Sequence, residues 1–260
     1  MSQSISSIPK TIHYCWFGGK PLPDLAVKCI ESWKRFCPDY EIVRWDESNF
    51  DVNSCAYVKE AYEAQKWAFV SDYARFWILY NHGGIYFDTD VELIKPIDHI
   101  VEKGAFMGIE SSPGDYVGSN DNSLIVAPGL GLGAEKNCSF YSKVLSYYKD
   151  IHFVYKDGKQ NTLTVGEHVT ALLVKEGLEQ KNVFQCIKGI NIWPKEYFNP
   201  MDANSGRLII TDNTVSVHHY AGTWVDSKIK VRDSWFRLIY RTFGEKTAAK
   251  LKKLYRRLFN

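Results

Sequence analysis

The chain has no window approaching the roughly 20 consecutive apolar residues that a membrane-spanning helix needs, so it is not expected to cross a bilayer. Its N-terminus lacks the basic-then-apolar segment of a secretory signal. The six cysteines, at positions 15, 29, 37, 55, 138 and 186, form no Cys-x-x-Cys pair and no zinc-ligand spacing. Neither a disulfide framework nor a structural zinc site is therefore expected, and reduced thiols in a cytoplasmic protein are the default. There is no internal repeat and no low-complexity stretch. Net charge is only +2, and the basic residues carry no nucleic-acid reading motif, so nucleic acid is not an expected partner.

What is present begins with size and aromatic content. At 260 residues and 29.9 kDa the chain has room for one large catalytic unit with a small appendage and a substantial core. Aromatic residues make up 15%, with eight Trp and sixteen Tyr, which suits flat rings lining a sugar or base pocket as well as ordinary packing. The small net charge hides an asymmetry. Residues 228–260 carry eleven Lys or Arg against two acids, whereas the rest carries 21 against 28, a net of −7.

Residues 11–17 read as a buried first strand running into Gly18-Gly19 and a Pro-Leu-Pro turn. Asp24 reads as the N-cap of a helix that ends near Phe36, before Pro38. Tyr40 to Trp45 form a second strand, completing a β-α-β unit of the kind that builds nucleotide-binding sheets. Ser54 to Asn81 reads as one helical stretch, with Ala68, Phe69, Tyr73, Phe76, Trp77 and Tyr80 at three- and four-residue spacing. Further strands are expected near 106–109, 124–127, 183–187 and 214–219, with helices near 139–148 and 168–176. Long polar loops are expected at 110–122 and 157–161. The alternation predicts a mixed α/β sheet flanked by helices.

The chemistry centres on Gly83-Gly84-Ile85-Tyr86-Phe87-Asp88-Thr89-Asp90, where an apolar strand ends in two carboxylates one residue apart. In an extended strand Asp88 and Asp90 would face one side, and two like charges that close repel unless a cation lies between them. Hard oxygen ligands suit Mg2+ or Mn2+, which keep positions open for phosphate oxygens. Asp72 and Arg75, three apart on the preceding helix, can point together at whatever the acids bind, and the planar guanidinium suits phosphate and hydroxyl oxygens. Trp16, just before two glycines, can stack on a nucleobase. In His218-His219-Tyr220-Ala221-Gly222-Thr223-Trp224, one histidine can supply a third metal ligand and Trp224 can close over a diphosphate; His219 is favoured over His218.

Taken together, Ile12-His13-Tyr14-Cys15-Trp16-Phe17-Gly18-Gly19, then Ser71-Asp72-Tyr73-Ala74-Arg75-Phe76 with the Asp-Thr-Asp segment, and the closing His-His-Tyr-Ala-Gly-Thr-Trp resemble glycosyltransferase family 32. That family includes bacterial capsule and lipopolysaccharide sugar transferases and fungal mannosyltransferases, and is related to the large clostridial glucosylating toxins. The resemblance spans residues 8 to about 226. It implies the GT-A fold over residues 1–227 and transfer of a sugar from a nucleotide-sugar with retained configuration; the basic amphipathic helical tail at 228–260 lies outside it and is read from its own residues. By the same resemblance, Trp16 stacks on the donor base and Asp72 and Arg75 contact the ribose or donor sugar. Tyr86 lies near the diphosphate, Asp88 and Asp90 are the Asp-x-Asp pair at the metal, and His219, five residues before Trp224, is a metal ligand. Thr164 to Thr170 resembles the acceptor-side segment, with Glu167 where proline is common. Glu167, Asp115 and Asp121 are the acceptor contacts or bases to test. A uracil nucleotide is expected by analogy with bacterial and toxin relatives.

In the tail, Trp235, Leu238, Ile239, Leu251, Leu254, Tyr255, Leu258 and Phe259 recur at helical spacing amid Lys and Arg, with Gly244 dividing two helices. Such a helix either lies on an anionic membrane surface, at the inner face of the plasma membrane beside a lipid-linked acceptor, or packs on its own domain. Two other functions stay open. Phe87-Asp88-Thr89-Asp90-Val91 superficially matches the nucleophile strand of haloacid-dehalogenase-type phosphatases, and a sugar-binding module without catalysis would use the same residues.

Overall fold

A computed structural model describes residues 8–113, 115, 123–222 and 227–259. Its centre is a mixed sheet in the order β2-β1-β3-β7-β5-β9-β8, built from β1 (Thr11–Cys15), β2 (Glu41–Trp45), β3 (Gly84–Tyr86), β5 (Phe106–Ser111), β7 (Leu132–Ala134), β8 (Gln185–Ile187) and β9 (Ile190–Trp193). A short strand, β6 (Ile125–Val126), pairs with β5 off this path. Strand β1 is parallel to β2 and β3, and β5 is parallel to β9. Strand β7 lies antiparallel between β3 and β5, so β5 runs in the direction of β3. A second, two-stranded sheet joins β4 (Val91–Leu93) to β10 (Ser216–His218) in antiparallel register, with His218 opposite Val91.

Strand alternation divides the core in two. Ile12, Tyr14 and Ile85 pack on one face with Trp33, Phe87 and Leu93, while Cys15 and Tyr86 pack on the other with Tyr73, Phe76 and Tyr148. Helix α1 (Asp24–Phe36) covers the first face through Ala26, Cys29, Ile30 and Trp33. The second face is covered by α2 (Ala56–Glu63), α3 (Trp67–His82), α5 (Ser139–Lys149) and α6 (Val165–Lys175). Short helices α4 (Asp98–Val101) and α7 (Lys195–Phe198) follow β4 and β9, and α8 (Ser227–Phe259) closes the chain. With apolar layers on both faces, the central strands are buried and nearly continuous in hydrophobicity, as parallel strands require.

Several local expectations change. Asp24 is the first residue of α1 rather than its cap; Pro23 takes the cap position, and Asp24 complements the helix dipole, as Lys34 and Arg35 do in the last turn. The stretch expected as one helix over 54–81 is two. Gln65 adopts φ 56°, the Lys66 amide turns back to the Ala61 carbonyl, and the restart places Trp67 against the Tyr62 ring, 5.1 Å away. The restart has a purpose in packing, since the Trp67 indole fills the space where a Gly18 side chain would sit, 2.6 Å from an added Cβ. Strands β7, β9 and β4 are additions to the expected set.

The turn into β3 is fixed by His13. Its Nδ1 accepts from the Trp45 indole N–H at 3.0 Å, so its Nε2 carries the proton and donates to the Gly83 carbonyl at 3.0 Å. Gly84, at φ 101°, leaves no room for a side chain: a Cβ there would lie 2.7 Å from the Thr11 carbonyl and 3.0 Å from the His13 ring.

Candidate active site

Strands β1, β3 and β5 run the same way, so their carboxyl ends share one edge of the sheet. This is where ligands bind in open α/β sheets. Trp16 follows β1, Asp88 and Asp90 follow β3, and Glu110 is the penultimate residue of β5. The acids do not lie within a strand, as expected, but in the turn that leaves β3 for β4. Their convergence therefore comes from tertiary contacts rather than strand alternation.

Asp88 is held from the α3 side. Arg75, buried, donates from Nη2 to Asp72 at 2.9 Å and from Nε to the Ser71 carbonyl at 3.0 Å, and faces both Asp88 oxygens at 3.4 Å. Its guanidinium lies 5.0 Å from the centre of the Tyr86 ring, and the Tyr86 hydroxyl donates to Asp88 at 3.1 Å. Asp72 is also buried, and burial raises its carboxyl above the usual range although Arg75 opposes the shift. Arg75 is held firmly protonated: burial works against its charge, but Asp88, Tyr86 and Asp72 outweigh it. Gly129, in the turn between β6 and β7, accepts the Asp88 amide proton at 3.1 Å and packs on its carboxylate so closely that a Cβ would lie 2.1 Å from Oδ2.

Asp90 is held from the opposite end of the chain. His218 Nε2 lies 3.1 Å from Asp90 Oδ1, and the Ala221 amide donates to Oδ2 at 2.8 Å. Burial pushes the Asp90 carboxyl up, but the His218 contact and that amide outweigh it and hold it below its ordinary range. Burial pushes the His218 ring down, and Asp90, Asp88 and Glu110 outweigh it, so its pKa is raised. Among the described residues its buried Nδ1 has no hydrogen-bond partner.

The choice of His219 over His218 is reversed by this geometry. Adjacent residues of an extended chain point to opposite sides; β10 delivers His218 to Asp90, while His219 reaches Glu92 at 2.7 Å, where Lys28 also binds at 2.9 Å. Ligand atoms of Asp88, Asp90 and His218 all lie within 4.8 Å of one another. Two carboxylates and an imidazole form a hard-to-borderline donor set that suits Mn2+ or Mg2+.

Sequence reading missed a wall of this site. Tyr220, at φ 50°, rests its ring on His218 with centroids 4.3 Å apart, and its hydroxyl meets Asn199 Nδ2 and the Glu110 carboxylate. Asn199 Nδ2 also donates to the Glu110 carbonyl at 2.8 Å. Burial raises the Glu110 carboxyl, against the influence of His218, Tyr220 and Lys195. The rule that picked out Asp88, an acid at the end of a buried strand, would also have picked out Glu110.

Other expected residues fall elsewhere. Trp16 is half-buried at the same sheet edge and donates from Nε1 to the Lys20 carbonyl at 2.6 Å. The Glu167 carboxylate is occupied by a helix cap: it accepts from the Thr164 amide at 2.7 Å and hydroxyl at 2.9 Å, and the Glu167 amide donates back to Thr164. Asp115 pairs with Lys195 at 2.8 Å. Trp224 and Asp121 lie outside the described residues.

Residues 23–107 match the family described as "Glycosyltransferase sugar-binding region containing DXD motif", and Asp72, Arg75, Tyr86, Asp88 and Asp90 lie inside the matched stretch. This agrees with the resemblance to glycosyltransferase family 32 drawn from the sequence. Among curated proteins, Inositol phosphoceramide mannosyltransferase 1 of Schizosaccharomyces pombe is 28% identical over 128 residues, covering 45% of this chain and 38% of the relative. Inositol phosphoceramide mannosyltransferase 3 of the same yeast is 32% identical over 117 residues, covering 44% and 33%. The chain thus matches well under half the length of either relative. A solved structure described as PaToxG Glycosyltransferase overlaps 67% of this chain and 72% of its own at 20% identity, with a TM-score of 0.49.

Proposed function

We propose that this chain is a metal-dependent glycosyltransferase of the GT-A type that moves a sugar from a nucleotide-sugar to a glycan acceptor with retained configuration. The observation that carries the reading is the convergence of Asp88, Asp90 and His218 at the carboxyl edge of the sheet, with the Asp-x-Asp pair inside a matched sugar-binding region. Residues 1–227 form the catalytic unit in this reading, and 228–260 an appended tail. Asp88, Asp90 and His218 would hold Mn2+ or Mg2+. When bound, the ion supplies positive charge to the diphosphate of the donor.

The chain's own residues supply positioning. Arg75, pinned by Asp72 and the Ser71 carbonyl, holds the Asp88 carboxylate in place, so little reorganisation is left for the moment of reaction. Tyr86 fixes the other side of that carboxylate. By resemblance Trp16, at the same sheet edge, is assigned to the base of the nucleotide and Trp224 to the diphosphate. Glu110 and Tyr220 form the wall facing the sugar, a more economical acceptor side than Glu167, whose carboxylate is already used in the helix cap. We favour a uridine diphosphate sugar as donor. The setting proposed is capsule, lipopolysaccharide or other surface polysaccharide synthesis, with a lipid-linked acceptor on the cytoplasmic face of the plasma membrane. The names of the yeast relatives add mannosyl donors to the set worth testing.

The decisive experiment incubates the protein with UDP- and GDP-sugars and Mn2+ and follows release of the nucleoside diphosphate. Release that stops with EDTA, with Asp88→Asn and with His218→Ala, but persists in His219→Ala, is the expected pattern. Release indifferent to chelator and to Asp88→Asn would end the proposal.

A further inference from the structure

The tail is not one long rod. Helix α8 is interrupted at Gly244, whose φ of 77° and ψ of 177° belong to a region that only glycine occupies comfortably. In a straight helix the 19 positions from Phe236 to Tyr255 would span about 28 Å; here their rings meet edge to face with centroids 5.8 Å apart, and the Lys252 ammonium lies 5.9 Å from the Phe236 ring. The two halves therefore fold back on each other as a helical hairpin. Its inner side is occupied by Phe236, Tyr255 and the buried Ala248. It is fastened to the body by Arg237 packed on Gly206 and Arg241 bonded to the Ser205 carbonyl.

With the inner side and the body contact accounted for, a second apolar set faces outward. Val231, Trp235 and Leu238 stand at i, i+4 and i+7 of the first arm, 57%, 63% and 56% exposed, with Phe243 at its end 67% exposed; Leu251 and Leu254 are exposed on the second arm. Exposed Arg232, Lys246, Lys250 and Lys253 accompany them, and the segment from 228 carries eleven cations against two acids. Isolated apolar residues on a surface need no explanation, but a helical row of them, including a Trp, alongside a surplus of like charge calls for a partner that is both apolar and anionic. A second copy meeting it hairpin to hairpin would bring the same positive charge to the contact and be repelled. No described helix is long and apolar enough to span a bilayer.

We infer that this hairpin is a docking element for an anionic lipid surface, lying in the headgroup plane with the Trp235 face down and the cations against lipid phosphates. The inference stands apart from the sugar chemistry, because nothing in it uses the acid site. The test is co-sedimentation of the full-length protein with vesicles of equal parts phosphatidylglycerol and phosphatidylcholine, beside vesicles of phosphatidylcholine alone. Binding to the anionic vesicles at least about tenfold tighter is expected, since each cation near the headgroups adds its own increment. Trp235→Ser combined with Leu238→Ser, and separately Lys250→Glu combined with Lys253→Glu, should each weaken it about tenfold or more while leaving nucleoside diphosphate release in solution intact. The lysine variant, altering only exposed positions, keeps the test valid if the apolar one misfolds. Failure to sediment with either vesicle, equal binding to both, or preference for DNA or RNA over anionic vesicles would overturn it.

Discussion

Protonating His13 should unfasten the turn that leads into the Asp-Thr-Asp segment. The ring is buried between two partners that fix its neutral form: the Trp45 N–H points at Nδ1, and Nε2–H points at the Gly83 carbonyl. A proton on Nδ1 would place two donors face to face. Burial accordingly pushes the imidazole from 6.5 down to about 4, with the Gly83 bond opposing and His82 assisting. Between those values the unfolded chain binds a proton that the folded chain refuses, so stability rises with pH across the window and falls as the solution is acidified through it. Two and a half units at about 1.4 kcal/mol each give roughly 3 kcal/mol lost by pH 4 from this one group. Because several carboxyls and other imidazoles also titrate there, the measurement has to be a difference. Urea unfolding of wild type and His13→Gln, repeated from pH 7 to 4, should show the variant less stable at neutral pH but losing about 3 kcal/mol less on acidification. Parallel curves, or a His13 imidazole that titrates near 6.5 by NMR, would refute the reasoning.

Other perturbations probe the site directly. Gly129→Ala puts a methyl group where the Asp88 carboxylate now lies, and should weaken Mn2+ binding by about 10- to 100-fold, as disturbing a ligand's support does, with a melting temperature close to wild type. Calorimetric titration checks it. Tyr220→Phe keeps the ring on His218 but leaves Glu110 and Asn199 without the hydroxyl they share, and should cost about 1–3 kcal/mol in urea unfolding. Thr164→Ala should remove about 1 kcal/mol by loss of the helix cap. Glu167→Gln should leave the transfer rate within a few-fold of wild type, whereas a fall of about 100-fold or more would return Glu167 to the chemistry.

The sheet edge and its acids were legible because the signals are local. A strand that ends in Gly-Gly-Ile-Tyr-Phe-Asp-Thr-Asp, preceded by a helix carrying Asp72 and Arg75, names five residues that do converge. The histidine was not legible, because which of two neighbours faces Asp90 depends on the pairing of β10 with β4, a register set by residues 125 positions apart. The break at Gln65 was hidden for a similar reason: periodicity continues across it, and the need for Trp67 beneath Gly18 is a long-range demand. Glu110 follows the same strand-end rule as Asp88, but Asn199 and Gly129 come from separate segments, and only folding brings them near Glu110 and Asp88. Glu167, reached through the resemblance of Thr164 to Thr170 to an acceptor-side segment, has its carboxylate engaged in the helix cap, a local use that the resemblance does not show.

The two carboxylates depend on different parts of the polypeptide. Asp88 is secured by Arg75, Tyr86 and Gly129, whereas Asp90 is secured by His218 and the Ala221 amide, more than 100 positions later. A polypeptide cut after residue 215 would keep the whole matched region and still present only half a grip, with one anchor set and the other swinging. The second half of the proposed ion grip is therefore added late, when β10 pairs back with β4, and a nascent chain lacks it until residue 221 has been made.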